Sequence, residues 1–158
     1  MEAILVDPIP AGYHSVTPYL MVRDGARAIT FYAQAFGARE VMRFPMPDGK
    51  IGHAEIKIGD SHVMLADESR EFPGPQMLGG AGVSLMLYVE EVDATFARAL
   101  AAGATERRAV ADQFYGDRNG TLVDPFGHVW TVSTHREDVS MDEMQRRMAA
   151  MHDEKKSS

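Results

Sequence analysis

The feature that most constrains this chain is an internal repeat in the order of its elements, and a period of this kind settles architecture before any single residue does. Residues 14–22 are rich in β-branched and aromatic side chains and read as a strand. Asp24 stands where an N-cap belongs. Over 26–36 the residues Ala28, Ile29, Tyr32 and Phe36 share one helical face, and Gly37 closes the helix. A second strand over 41–45 ends at Pro45 and Pro47, with a turn at Asp48-Gly49. Residues 52–58 and 62–67 alternate in polarity about Gly59-Asp60 and read as a hairpin. The order then recurs: a strand over 83–89, a helix over 93–102 ended by Gly103, a strand over 105–110, and a hairpin of 120–124 with 128–134 across Asp124-Pro-Phe-Gly127. Phe36-Gly37-Ala38 is echoed by Ala102-Gly103-Ala104. The expectation is an α+β domain of two βαβββ units, about 14–67 and 83–134. Around them lie an irregular segment over 1–13, a Gly- and Pro-rich linker over 68–82 and a loop over 114–120. A C-terminal helix over about 140–152 starts at the N-cap Ser140, and the final six residues, 153–158, are expected to be frayed.

Length and charge narrow the classes of partner. The 158 residues suffice for one domain with a core. Hydrophobic residues at 45% and charged residues at 25% are ordinary for a globular chain. No apolar run approaches the roughly 20 residues a spanning helix needs, so no membrane partner is expected. The opening stretch carries an acid where a secretory signal carries base, and a cytoplasmic location is expected. There is no cysteine, so disulfides, thiolate metal sites and thiol nucleophiles are excluded. The formal net charge is -7, and the basic pairs Arg107-Arg108 and Arg146-Arg147 stand alone. No nucleic-acid partner is expected, because phosphate neutralisation needs a basic face. Gly79-Gly80-Ala-Gly82 precedes a strand and cannot present helix amides to a phosphate.

The motifs carry a resemblance. Tyr19-Leu-Met-Val-Arg-Asp24, Ala28-Ile-Thr-Phe-Tyr32 and Phe36-Gly-Ala38 resemble the first strand and helix of the vicinal oxygen chelate (glyoxalase/bleomycin-resistance) superfamily, and Asp124-Pro-Phe-Gly-His128 resembles its last hairpin turn. Gln113-Phe-Tyr-Gly-Asp-Arg118 with Asp124-Pro-Phe-Gly-His-Val-Trp-Thr131 is similar to the PhnB-like branch. The resemblance covers about residues 14–135. It implies a cup-shaped, eight-stranded mixed sheet with its helices outside, and a homodimer. It specifies fold more than activity, because one fold hosts many functions.

Strand alternation then says which side chains line such a cup. The expected ligand-binding set is Thr17, Tyr19, Met21, His53, Glu55, His62, Met64, Ser84, Met86, Tyr88, Phe114, Tyr115 and Thr131, with Lys57, Ala66 and Ser133 on the same faces. Tyr19, Tyr88, Phe114 and Tyr115 read either as a wall that stacks on a flat ligand or as ordinary packing. His14 and His135 flank strands at the rim, His128 follows a turn, and Trp130 faces outward beneath a helix. The methionines Met141, Met144, Met148 and Met151 form a stripe along the last helix, suited to packing or to a dimer interface.

In metal-dependent relatives, four inward positions carry His, Gln or Glu. The resemblance lays them on Thr17, Met64, Ser84 and Thr131, which are poor ligands for divalent transition metals. No metal or other cofactor is therefore expected. His53, Glu55 and His62 offer a second set of N and O donors, read here as a hydrogen-bonded polar wall or ligand-orienting pair, with Lys57 on the same face neutralising Glu55. Three functions remain open. The first is binding of a small organic ligand without conversion. The second is a metal-independent lyase or isomerase with Glu55 as general base and His53 or Lys57 tuning it. The third is a metalloenzyme of glyoxalase or dioxygenase type with unusual ligands.

Overall fold

The structure is a computed structural model that describes residues 5–158. Its secondary structure falls into two compact units. The first comprises the described residues of Met1–Ala81 together with Pro125–Gly127, and the second comprises Gly82–Asp124 and His128–Ser158.

In the first unit, strand β1 (Tyr19–Val22) leads into helix α1 (Gly25–Phe36), followed by β2 (Arg39–Pro45), β3 (Ile51–Ile58), β4 (Ser61–Asp67) and a short helix α2 (Pro75–Leu78). The sheet order is β1-β4-β3-β2, with β1 parallel to β4 and the other pairs antiparallel. The ends of α1 follow from its local chemistry. The Asp24 carboxylate accepts from the Arg27 amide, and Gly37 takes the left-handed conformation at φ 68° that a side chain resists. Leu20 and Val22 of β1, Ala54, Ile56 and Ile58 of β3, and Val63 and Leu65 of β4 are buried on the helix side. They meet Ala28, Ile29, Tyr32 and Phe36 of α1, the face set by the 3.6-residue period. Phe126, from the Pro125–Gly127 turn, joins Phe31 and Tyr32 in an aromatic cluster with centroids 6.1 and 6.2 Å apart.

The second unit repeats the plan with β5 (Ser84–Tyr88), α3 (Val92–Ala101), β6 (Thr105–Asp112), β7 (Asp117–Val123), β8 (Val129–His135) and α4 (Met141–Lys156). Its order, β5-β8-β7-β6, is the topological copy of the first, with the parallel pair again between first and last strands. Trp130 is buried as its alternation requires, and its indole N–H donates to Asp124 at 2.9 Å.

Several boundaries differ from the sequence reading. The first strand starts at Tyr19 rather than at 14, just past Pro18, whose nitrogen has no hydrogen to donate to a ladder. The 114–120 loop is shorter than expected, because β7 already starts at Asp117. Asp117 pairs with His135 and Asn119 with Ser133, so ladder bonds override the turn-like composition. The 68–82 linker contains α2, whose Pro75 occupies the first helical position and is pinned under Gly127. The final residues are helical rather than frayed. The helix α4 runs to Lys156, with Asp142 and Glu143 in its first turn and Lys155 and Lys156 in its last, all complementing the helix dipole. Among the described residues, no helix is long and apolar enough to cross a membrane.

Candidate functional site

The face of the first sheet turned away from α1 carries a chain of hydrogen-bonded polar side chains. Alternation along β3 sends His53 and Glu55 to this face, and register places Met64 of β4 opposite both Glu55 and Tyr19. The Tyr19 hydroxyl meets His53 Nδ1 at 2.7 Å, and His53 Nε2 meets Glu55 Oε1 at 3.2 Å. The tautomer that puts the proton on Nε2 satisfies both contacts. The other Glu55 oxygen accepts a short hydrogen bond from Tyr13, which comes from the segment ahead of β1. The Tyr13 ring stacks on His62 at 4.0 Å. His62 Nδ1 is buried without a hydrogen bond.

Electrostatics follow from these contacts. The Tyr13 hydroxyl holds the Glu55 carboxyl below the usual carboxylate range against the opposing effect of burial, and His53 adds to the lowering. In return, burial and the Glu55 carboxylate push the Tyr13 phenol up to about 12. Burial, with the same carboxylate nearby, also raises the Tyr19 phenol. Both oxygens of Glu55 are thus engaged and its negative charge is favoured. The ion pair with Lys57 that strand alternation suggests does not form.

Beside this chain a cleft of about 610 Å³ opens, lined by Tyr19, Met21, Gly52, Ala66, Asp67, Ser69 and Phe72. Its volume lies within the range of pockets that hold small organic molecules, about 300–1,000 Å³. Tyr19 and Phe72 present exposed rings.

The corresponding face of the second sheet has its own network. Asp117 is buried and accepts from Tyr88 at 2.8 Å and Ser133 at 3.2 Å, and it meets His135 Nδ1 at 2.7 Å. Burial pushes the Asp117 carboxyl up, but hydrogen bonds from His135, Tyr88 and Ser133 outweigh it and leave the group below its ordinary value. His135 also reaches Asp138 at 2.7 Å, and its two carboxylate partners raise its pKa, Asp117 first. Asn119 donates to Tyr115 at 2.8 Å and accepts from Arg108 at 3.1 Å.

The expected residues are therefore divided. Tyr19, Met21, His53, Glu55, His62 and Met64 gather on the first sheet. Thr17 lies two residues ahead of β1 and is half-buried. Ser84, Met86 and Tyr88 alternate along β5, and Thr131 meets Thr121 at 2.9 Å between hydroxyl oxygens. Phe114 and Tyr115 pack edge to face at 5.2 Å in the turn before β7. Sequence reading missed Tyr13, Asp67, Phe72 and Asp117. Tyr13 sits among Pro8, Pro10 and Gly12, where no period marks a direction. Asp67 carried one usable signal, a carboxylate closing the apolar run 63–66 of its strand.

The model of the Glyoxalase/Bleomycin resistance protein/Dioxygenase superfamily matches residues 12–132. The chain belongs to this superfamily. It is 44% identical over 156 residues to an uncharacterized protein of Mycobacterium bovis, covering 96% of this chain and 99% of that protein. Among solved structures it is similar to TioX from Micromonospora sp. ML1, at 28% identity and a TM-score of 0.60, covering 81% of this chain and 99% of that one. A PhnB protein from Bacillus cereus shares the fold at 20% identity and a TM-score of 0.62, over 77% of this chain and 99% of that one.

Many superfamily sites are built around a divalent metal, so donor chemistry has to be tested. Thr17, Met64, Ser84 and Thr131 supply three hydroxyls and one thioether, and the Thr131 hydroxyl is already bonded to Thr121. This set does not fit a divalent transition ion, which calls for imidazole or carboxylate donors. In the alternative set, both nitrogens of His53 and both oxygens of Glu55 are occupied. Among the described residues, no three His, Asp or Glu side chains are disposed to share an ion.

Proposed function

We propose that this superfamily member binds a small, flat organic molecule in the cleft beside β1 and β4, without a metal at the usual superfamily position and without converting it. The observation that carries this reading is the pairing of an aromatic-walled cleft with a polar chain whose carboxylate, Glu55, is held as a weak base with an internal partner on each oxygen. Tyr19, Met21 and Phe72 offer apolar surface of the kind a ring system stacks on. A catalytic base works best with a pKa near the operating pH. Glu55 has both oxygens hydrogen-bonded and a lowered pKa, which makes it a weak base and a good rigid anchor for the Tyr19 ring through His53.

The test joins two readouts on one preparation. Calorimetry and amide shifts are followed as 2-naphthylmethanol is added to millimolar concentration, with elemental analysis before and after chelator dialysis. The expected result is binding heat, shifts at Met21, Gly52, Ala66 and Ser69, and a metal content and melting temperature unaffected by chelation. Replacing Tyr19 or Phe72 by Ala should weaken binding by about tenfold, the effect of removing a stacked aromatic partner worth about 1.5 kcal/mol. No heat and no cleft shifts would overturn the binding reading. Stoichiometric metal whose removal lowers the melting temperature would move the assignment to a metalloenzyme.

A further inference from the structure

The cleft has one charged residue in its lining, Asp67, and the way that residue is held says what charge its occupant carries. Asp67 ends β4, opposite Val22 of β1. Its Oδ2 accepts the Ile51 amide at 2.6 Å and the Gly25 amide at 3.2 Å. Gly25 approaches so closely that a Cβ there would lie 2.9 Å from Oδ2 and 2.7 Å from the Ile51 Cβ, so the carboxylate is clamped between two chain segments. Two backbone donors on one oxygen fix the plane of the group. They leave Oδ1 without a partner among the described residues. A carboxylate fixed in this way has little side-chain entropy left to lose when a cation arrives.

The neighbours of Asp67 favour the same kind of ligand. Among the described residues no Lys or Arg lines the cleft, so no cation in its wall competes for Oδ1. Arg23, a cation near this end of the sheet, is committed to Glu68 at 2.7 Å. The rings of Tyr19 and Phe72 are 43% and 56% exposed, and an aromatic face attracts a cation and repels an anion. The Tyr19 ring is further oriented by its hydroxyl contact with His53.

We propose that the cleft is selective for an organic cation: an aromatic body lying against Tyr19 and Phe72, with a protonated or quaternary nitrogen seated at Asp67 Oδ1. This rests on the binding reading above and adds the ligand's charge and the residue that reads it. Asp67 is then a specificity-determining residue, and the polar chain through Glu55 serves to hold the Tyr19 wall.

The experiment compares three near-isosteric probes, 2-naphthylmethylammonium, 2-naphthylmethanol and 2-naphthoate, by calorimetry and amide shifts on the whole chain. The expected result is that the ammonium binds at least about tenfold more tightly than the alcohol, as a charge-assisted contact requires, and that the carboxylate binds most weakly. In Asp67→Asn the amide oxygen can still accept from Ile51 and Gly25, so the fold should survive while the ammonium falls to the affinity of the alcohol. Equal binding of alcohol and ammonium at the cleft, or a preference that survives in Asp67→Asn, would overturn the proposal and leave the binding reading intact. No cleft shift with any probe would overturn both. If the Asn variant fails to fold, the wild-type protein decides with (2-naphthylmethyl)trimethylammonium. Nuclear Overhauser contacts from its methyls to the Asp67 β-protons and the Ile51 amide would place the charge as proposed, and contacts confined to other residues would overturn it.

Discussion

Tyr13 shows how one side chain outside any regular element sets the properties of the first sheet. Its hydroxyl donates to Glu55 and its ring covers His62, so it contributes both a charge-assisted hydrogen bond and stacking. Replacing Tyr13 by Phe keeps the ring and removes the donor. The expected cost at neutral pH is about 1.5–2 kcal/mol, the lower part of the range for a hydrogen bond to a charged group. Because the folded-state pKa of Glu55 is lowered, its stabilisation is present above the ordinary carboxylate pKa and lost as pH falls through the folded value. The stability gap between wild type and Tyr13→Phe should therefore narrow in acid, and the Glu55 titration followed by carboxyl NMR should move upward in the variant. A gap that stays constant through the acid range would mean that the hydroxyl is not bound to an ionised Glu55. The same accounting separates Glu55 from Asp67. The first has an internal partner on each oxygen, whereas the second has both of its partners on Oδ2 and one oxygen left to meet a ligand.

At the scale of elements, the turn between β6 and β7 is the most tightly constrained joint in the second unit. Gly116 takes φ 101°, and a Cβ on it would lie 2.0 Å from the Glu137 carbonyl oxygen. That carbonyl is backbone and cannot swing away, and the Glu137 and Arg136 amides both donate to the Gly116 carbonyl at 3.0 and 2.9 Å. Gly116→Ala should destabilise the protein by about 3 kcal/mol, combining left-handed strain with overpacking. Urea denaturation checks this, and a loss below about 0.5 kcal/mol, the usual effect of a neutral surface change, would contradict the close approach. This joint also shows why part of the fold was hidden in the sequence. The helix α1 was legible because Asp24, the 3.6-residue apolar period and Gly37 are local signals that agree. The start of β7 was not, because Gly116-Asp-Arg-Asn-Gly has turn composition and becomes strand through pairing with β8. The site divides in the same way. His53 and Glu55 were readable from alternation along β3. Tyr13 and Phe72 lie in aperiodic segments, and only the folded chain brings them to the sheet.

For the whole molecule, the repeat gives two sheets of identical strand order, and each carries on one face a tyrosine tied through histidine or carboxylate to its neighbours, Tyr19 in one and Tyr88 in the other. The first pairs that motif with a fixed, half-free carboxylate in a cleft. The net charge of -7 acts on a different length scale from Asp67. A field summed over distant surface charges is screened within the Debye length, about 10 Å at 0.1 M salt, whereas contact with Oδ1 in a partly enclosed cleft is screened far less. The two contributions should therefore separate kinetically. For (2-naphthylmethyl)trimethylammonium followed by stopped-flow fluorescence, the association rate should fall several-fold as salt rises from about 0.02 to 0.2 M, while the dissociation rate changes little. Asp67→Asn should do the reverse, raising the dissociation rate by about tenfold and leaving the salt slope of association nearly intact, because it removes one charge of many but the one in contact. If the Asn variant instead slowed association and left dissociation unchanged, Asp67 would act only as part of the diffuse negative field, and the ammonium would not be seated against its carboxylate.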